Sequence, residues 1–184
     1  MAAGSGASYS STAKFFHWTV ALLVLTIVPV GILMGRIPGN PMQNNLYTLH
    51  KSIGVLILVL MTLRIIYRLS HGAPAPEPTL KPWERAASGT VHWVLYALLL
   101  TNPLLGSLAL SAYGAPTPFF NLIEVPPLIA KNMPLADRLF FIHGWVGWAI
   151  GVLFCMHIAA ALRHYFIKRD GVMQRMLPRS LGGN

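Results

Sequence analysis

The chain has 184 residues, enough for one domain, with 54% hydrophobic and only 10% charged residues. A mean hydropathy of +0.56 excludes an ordinary soluble globule. The net charge of +9 would indicate nucleic acid in a soluble protein; in an apolar chain it is a topology signal instead, and no nucleic-acid partner is expected.

Four apolar stretches, roughly 15–35, 47–69, 91–112 and 140–166, approach or exceed the ~20 residues that cross hydrocarbon. The expected fold is all-α: a bundle of four transmembrane helices. The first stretch is expected to be a span rather than a secretory signal, because only Lys14 precedes it, no small-x-small cleavage pattern follows and the run is long for a signal's apolar core. Residues 1–12 are mostly small, offer little to bury and are expected to be flexible. Helix 1 enters at Phe15-Phe16-His17-Trp18 and contains Pro29. Residues 36–45, with Pro38, Gly39, Asn40 and Pro41, read as a turn. Helix 2 is expected over 47–69. Prolines 74, 76, 78 and 82 favour an extended loop. Helix 3 is expected from Ala87 to Ser111, with Pro103 inside. The stretch 113–139 is long, proline-rich and apolar, and is expected to lie over the helix ends as a lid with short helical pieces. Helix 4 contains the single cysteine, Cys155, read as a small packing residue. No internal repeat stands out, although helices 1–2 and 3–4 each form an up–down pair. Residues 13–178 thus form one membrane domain, followed by a basic tail over 179–184.

Ten cations (Lys14, Arg64, Arg68, Lys81, Arg85, Arg163, Lys168, Arg169, Arg175, Arg179) flank one side of this topology. Four (Arg36, Lys51, Lys131, Arg138) flank the other. The bias places both termini in the cytoplasm of a bacterial inner membrane.

Histidines carry the chemistry. Histidine at membrane depth is costly unless paired or bound. His143 and His157 share helix 4 fourteen residues apart, which returns them to nearly one helix face about 21 Å further along. Helix direction sets depth: His50 matches His143 near the outer surface, and His17 matches His157 near the inner one. Two imidazoles from facing helices hold haem iron, and bundle cores are where such cofactors sit. The same fourteen-residue interval leads from His17 to Gly31, from His50 to Arg64 and from His92 to Gly106. A face that offers a ligand at one depth therefore offers a glycine or a cation at the other. Glycine lets a flat macrocycle approach the backbone; Gly54 and Gly147, with Gly144 and Gly151, widen the slot. Arg64, with Arg68 as a second candidate, is expected to meet haem propionates at the inner site through forked bonds. At the inner level His92 and His164 compete with His17 and His157 on spacing alone; His164 reads as interfacial, and His71 lies in a loop with no partner.

The segments Phe16-His17-Trp18, Leu49-His50-Lys51-Ser52-Ile53-Gly54, Arg64-x-x-x-Arg68, Ile142-His143-Gly144, Met156-His157 and Arg163-His164-Tyr165-Phe166 resemble, in that order, the bacterial cytochrome b561 family. That family is related to the cytochrome b subunits of nickel–iron hydrogenases. The resemblance covers 13–178. It implies two b-type haems per chain, with His17 and His157 as axial ligands of the inner iron and His50 and His143 of the outer. It also implies electron exchange with quinone and, in some members, superoxide as the outer donor. Bis-histidine ligation leaves no open iron position, which disfavours oxygenase chemistry. Quinone needs an apolar slot with a polar end; His92 with Trp93 inside, or Lys131, Asn132 and Arg138 outside, are candidates. Lys51 stands where it would draw an anion toward the outer haem. Three functions compete: a self-contained carrier (a superoxide:quinone type of oxidoreductase) between a periplasmic donor, superoxide or a redox protein, and quinone; an anchor subunit serving a partner dehydrogenase or hydrogenase; and a transporter using histidines for metal or protons.

Overall fold

A computed structural model describes residues 8–177 except 38 and 40. Its helices are α1 (Ser11–Met34), α2 (Pro41–His71), α3 (Pro82–Tyr113) and α4 (Met133–Leu162), the last continued by a π-helical stretch Arg163–Lys168. All four are long and apolar enough to cross a membrane. The helices start earlier than the hydrophobic runs because polar first turns and prolines belong to them. Pro41 is the first residue of α2, and Pro82 and Pro134 sit in the first turns of α3 and α4. Proline lacks only an N–H that has no partner there anyway, so it starts helices as readily as it breaks them. Ser10 caps α1 by accepting from the Ala13 N–H, and Asn132 caps α4 by accepting from Leu135. Gly114, left-handed at φ 94°, ends α3, its N–H and that of Ala115 closing back onto the Ser111 and Leu110 carbonyls.

Two expectations are corrected. The 113–139 segment is not a set of short helices. It forms an antiparallel hairpin, β1 (Thr117–Phe119) with β2 (Ile123–Val125), and from Met133 it is already α4. Phe120 and Asn121 both take positive φ, 49° and 56°, in a turn closed by the Leu122 N–H on the Phe119 carbonyl. That shape matches the right-handed twist of the flanking strands. The fully buried Ser52 of α2 accepts from the Phe120 N–H at 2.7 Å and donates to the Thr48 carbonyl, seating the hairpin on α2. The second correction concerns the N-terminus. Residues 1–7 and the 179–184 tail lie outside the described residues, but Ser8, Tyr9 and Ser10 already make hydrogen bonds and α1 begins at Ser11. Ser8 Oγ and the Tyr9 N–H both donate to the Arg175 carbonyl, so the two ends of the described chain meet at one end of the bundle.

The helices pack in chain order, α1 on α2, α2 on α3 and α3 on α4, while α1 and α4 barely touch. Val20, Val24, Ile53, Ile57, Met61, Tyr96, Leu99 and Ile150 form the core. The other face of α4 is a stripe of exposed Phe141, Trp145, Trp148 and Val152, as a lipid-facing helix presents. Cys155 is also exposed, so it is not the packing residue expected. At the terminal end, Lys168 Nζ bonds both Glu84 carboxylate oxygens (3.0 and 2.8 Å), and His164 Nδ1 lies 2.6 Å from Asp170. His164 is therefore engaged and largely buried. His71 closes α2 and stacks on Tyr67 with ring centroids 4.1 Å apart.

Candidate cofactor sites at two levels of the bundle

At the hairpin end, α2 and α4 bring His50 and His143 together with ring centroids 5.9 Å apart and planes at 86°. His143 Nδ1 donates to the Asn102 backbone carbonyl at 3.0 Å, which leaves Nε2 with its lone pair. Two glycines make room for these rings. A Cβ on Gly106 would stand 3.0 Å from His143 Cε1, and one on Gly31 would stand 2.9 Å from His50 Cε1. His50 Nδ1 is buried, and among the described residues no partner meets it in full hydrogen-bond geometry, the Ile27 carbonyl being the neighbouring acceptor.

At the terminal end, α1 and α4 place His17 and His157 at 6.1 Å and 63°. His92 of α3 joins them, 5.1 Å from His157. Arg64 Nη2 donates to His17 Nδ1 at 2.9 Å and its guanidinium lies 5.1 Å from the Tyr96 ring centre. The depth pairing expected from helix direction is thus the pairing in space. Two metal–imidazole bonds of about 2 Å each, with the depth of both rings, separate ring centres by about 6 Å. Both pairs meet that spacing. Among the described residues no group of three or more His, Cys, Asp or Glu side chains gathers to hold a bare metal ion. Two-ligand sites suit a cofactor that brings its own equatorial ligands, so the donor set fits haem.

The remaining candidates sort by contact. At Gly54 and Gly147 a Cβ would make only ordinary contacts, 3.9 Å to Ile27 and 3.8 Å to Asn102. Protein packing therefore does not demand glycine there. Trp93 is exposed, and its ring lies 5.6 Å from that of Tyr96. Asn132 is spent as the α4 cap, and the Lys131 stem lies on Gly114. Asn102 escaped the sequence reading, because a backbone carbonyl has no sequence signature. Gly106 carried a signal in its interval from His92, but the partner it serves lies on another helix.

The chain matches the family model described as Prokaryotic cytochrome b561 over residues 8–179. It is 32% identical over 173 residues to "Cytochrome b561 homolog 2" of Escherichia coli K12, spanning 94% of this chain and 92% of that one. It is 32% identical over 174 residues to "Probable superoxide oxidase CybB" of Yersinia pestis, spanning 95% and 98%. The likenesses run the length of the four helices. The chain therefore belongs to the prokaryotic cytochrome b561 family, multi-pass bacterial membrane proteins that use b-type haem as oxidoreductases or electron carriers.

Proposed function

We propose that this protein carries two b-type haems, stacked across the inner membrane, and passes electrons from a periplasmic donor to membrane quinone. The observation that carries the proposal is the pair of imidazole clamps, 5.9 and 6.1 Å wide, set fourteen residues apart along α4. His50 and His143 are assigned to the outer haem, His17 and His157 to the inner. When bound, haem supplies one-electron chemistry with no open iron position.

The chain's own residues do the positioning. The Asn102 carbonyl holds the Nδ1 proton of His143 and so leaves Nε2 as the nitrogen that would hold haem iron. At the inner level Arg64 donates to His17 Nδ1, which places that ring's proton on Nε2. Ligation through Nε2 requires the proton to pass to Nδ1 and the guanidinium to leave it. A propionate carboxylate is the stronger partner that Arg64 would then take. Gly31 and Gly106 let the outer rings lie against neighbouring helices, and Gly54 and Gly147 are assigned to the open slot beside the macrocycle. Lys51, half-buried next to His50, favours an anionic donor. The probable superoxide oxidase among the relatives supports superoxide as that donor. Two superoxide anions, each losing one electron to become dioxygen, supply the two electrons that convert one quinone, with two protons, to quinol.

A pyridine haemochrome count with a potentiometric titration tests the assignment. The expected result is two haems per chain and two separable steps, one lost in His50→Ala and the other in His17→Ala. A single haem, or two steps that survive both substitutions, would refute it. Co-purification of a dehydrogenase or hydrogenase would favour the anchor-subunit role instead.

A further inference from the structure

The two helices assigned to the inner haem, α1 and α4, barely touch each other. Direct packing between them therefore does not fix the 6.1 Å that separates His17 from His157. The last described stretch of the chain joins them instead. Beyond the π-helical stretch, residues 171–177 wind into a short turn of helical sense. The Arg175 N–H donates to the Gly171 carbonyl, and the Met176 and Leu177 N–H groups both donate to the Met173 carbonyl. Such a turn leaves its final carbonyls without partners of its own. All three are taken by α1 and the residues just before it. Ser8 Oγ and the Tyr9 N–H share the Arg175 carbonyl, Trp18 Nε1 donates to the Met176 carbonyl at 2.9 Å, and Lys14 Nζ donates to the Leu177 carbonyl at 2.6 Å.

These donors sit beside the ligand. Lys14 and Trp18 are four residues apart, so they stack on one face of α1. His17 lies between them in sequence, and the Trp18 ring stands edge to face against its imidazole, with centroids 5.4 Å apart and planes at 87°. Lys14 is only 8% exposed, rare for a lysine, and its ammonium lies where lysine matches the last carbonyls of a helical turn. The turn is fixed in its own right. Asp170 accepts from the Val172 N–H and lies 2.6 Å from His164 at the end of α4. The buried Arg175 donates through Nη2 to the Ala75 carbonyl at 2.6 Å. A Cβ on Gly171 would stand 2.9 Å from Glu77 Oε2, so the turn lies tight on the α2–α3 loop. Met176 also walls, with Arg64 and His92, a cavity beside the inner level. α4, the turn and the loop thus make one frame. Apart from its packing on α2, α1 is tied to that frame at this end by the donors of Ser8, Tyr9, Lys14 and Trp18.

We propose that Lys14 and Trp18 are positioning residues of the inner haem site, holding His17 at ligating distance from His157 through the carbonyls of the C-terminal turn. The proposal rests on the assignment of the inner haem above. The clasp acts on one level only, because the outer pair is held by other contacts, the Asn102 carbonyl and the faces of Gly31 and Gly106. A loose α1–α4 seam lets a flat macrocycle enter between the two imidazoles, and the clasp then keeps the helices from parting. Such coupling is reciprocal: whatever stability the turn lends to the bound inner haem, the inner haem lends to the turn.

The test uses the full-length, haem-loaded protein in detergent with excess apomyoglobin as haem scavenger. Loss from each level is told apart with His17→Ala and His50→Ala. Trp18→Phe keeps a ring and removes the N–H; Lys14→Met removes the ammonium. Each is expected to speed loss of the inner haem by roughly tenfold, as removal of one charged or buried hydrogen bond does, while the outer haem leaves at the wild-type rate. Lys14→Arg keeps a charged donor and should stay near the wild type. In His17→Ala, amide exchange at 175–177 should quicken although no residue of the turn is altered. An inner haem that leaves at the wild-type rate in both variants overturns the proposal. So does equal acceleration at both levels, which marks general loosening of the fold, and so does unchanged exchange in His17→Ala. A wild type with one haem, or an inner haem that survives His17→Ala, overturns the inner-haem assignment itself, and the clasp's role with it.

Discussion

At the scale of single residues, glycines at equal intervals do unequal work. Gly31 and Gly106 face imidazoles so closely that a Cβ would make the ring shift, whereas Gly54, Gly144 and Gly147 do not. Gly106→Ala is therefore expected to push His143 off the Asn102 carbonyl. An imidazole that loses this acceptor is a weaker base. It stabilises ferric iron less, so the outer step of the redox titration should move to higher potential while the inner step stays. Gly31→Ala should perturb the same step by crowding His50, at a cost of about 1–3 kcal/mol from overpacking. Gly54→Ala and Gly147→Ala separate protein from cofactor. The expected outcome is a normally folded apoprotein by circular dichroism with reduced haem occupancy. Arg64→Ala should shift the inner step and spare the outer, and an unchanged two-step titration would contradict the role given to its guanidinium.

At the scale of elements, the hairpin and the π-helical stretch are both held by single side chains. Phe120 is a bulky residue at positive φ, a conformation that persists only when neighbours enforce it. Ser52 is the enforcing neighbour, through the Phe120 N–H. Ser52→Ala leaves that donor unmatched, and a loss of about 1–3 kcal/mol is expected. Faster hydrogen exchange at the 117–125 hairpin would check it, with protection in α1 unchanged. Because Ser52 is two residues from His50, the hairpin and the outer histidine pair share one anchored stretch of α2. At the other end, Glu84 ties the π-helical stretch to α3 through Lys168 while accepting from the Lys81 N–H. Prolines explain why element boundaries were read too short. Pro41 has the look of a turn residue and Pro82 that of a loop residue, yet each opens a helix, while Pro103 lies inside one. The residue type is the same in all three places, and only the pairing of the neighbouring backbone distinguishes them.

At the scale of the whole molecule, the charge bias is the argument for orientation, and under the proposed orientation the His50–His143 pair is the one that meets the periplasmic donor. If the outer pair takes electrons from superoxide, the bimolecular rate of haem reduction should fall with rising ionic strength, and Lys51→Gln should flatten that dependence. A rate indifferent to salt would remove the steering role of Lys51.

The apolar runs, the cation bias and the intervals between histidines already determine four spans and two levels of paired imidazoles. Helical periodicity and membrane thickness convert spacing along the chain directly into face and depth. What only the tertiary structure decided lies between helices: His50 against Gly31, His143 on the Asn102 carbonyl, Arg64 against His17, and the cavity that pairs Arg64 with His92. Depth and face are local properties of one helix, whereas a backbone carbonyl acceptor, a ring lodged on a glycine and a seam left open between α1 and α4 depend on how four helices rotate about their axes when they pack.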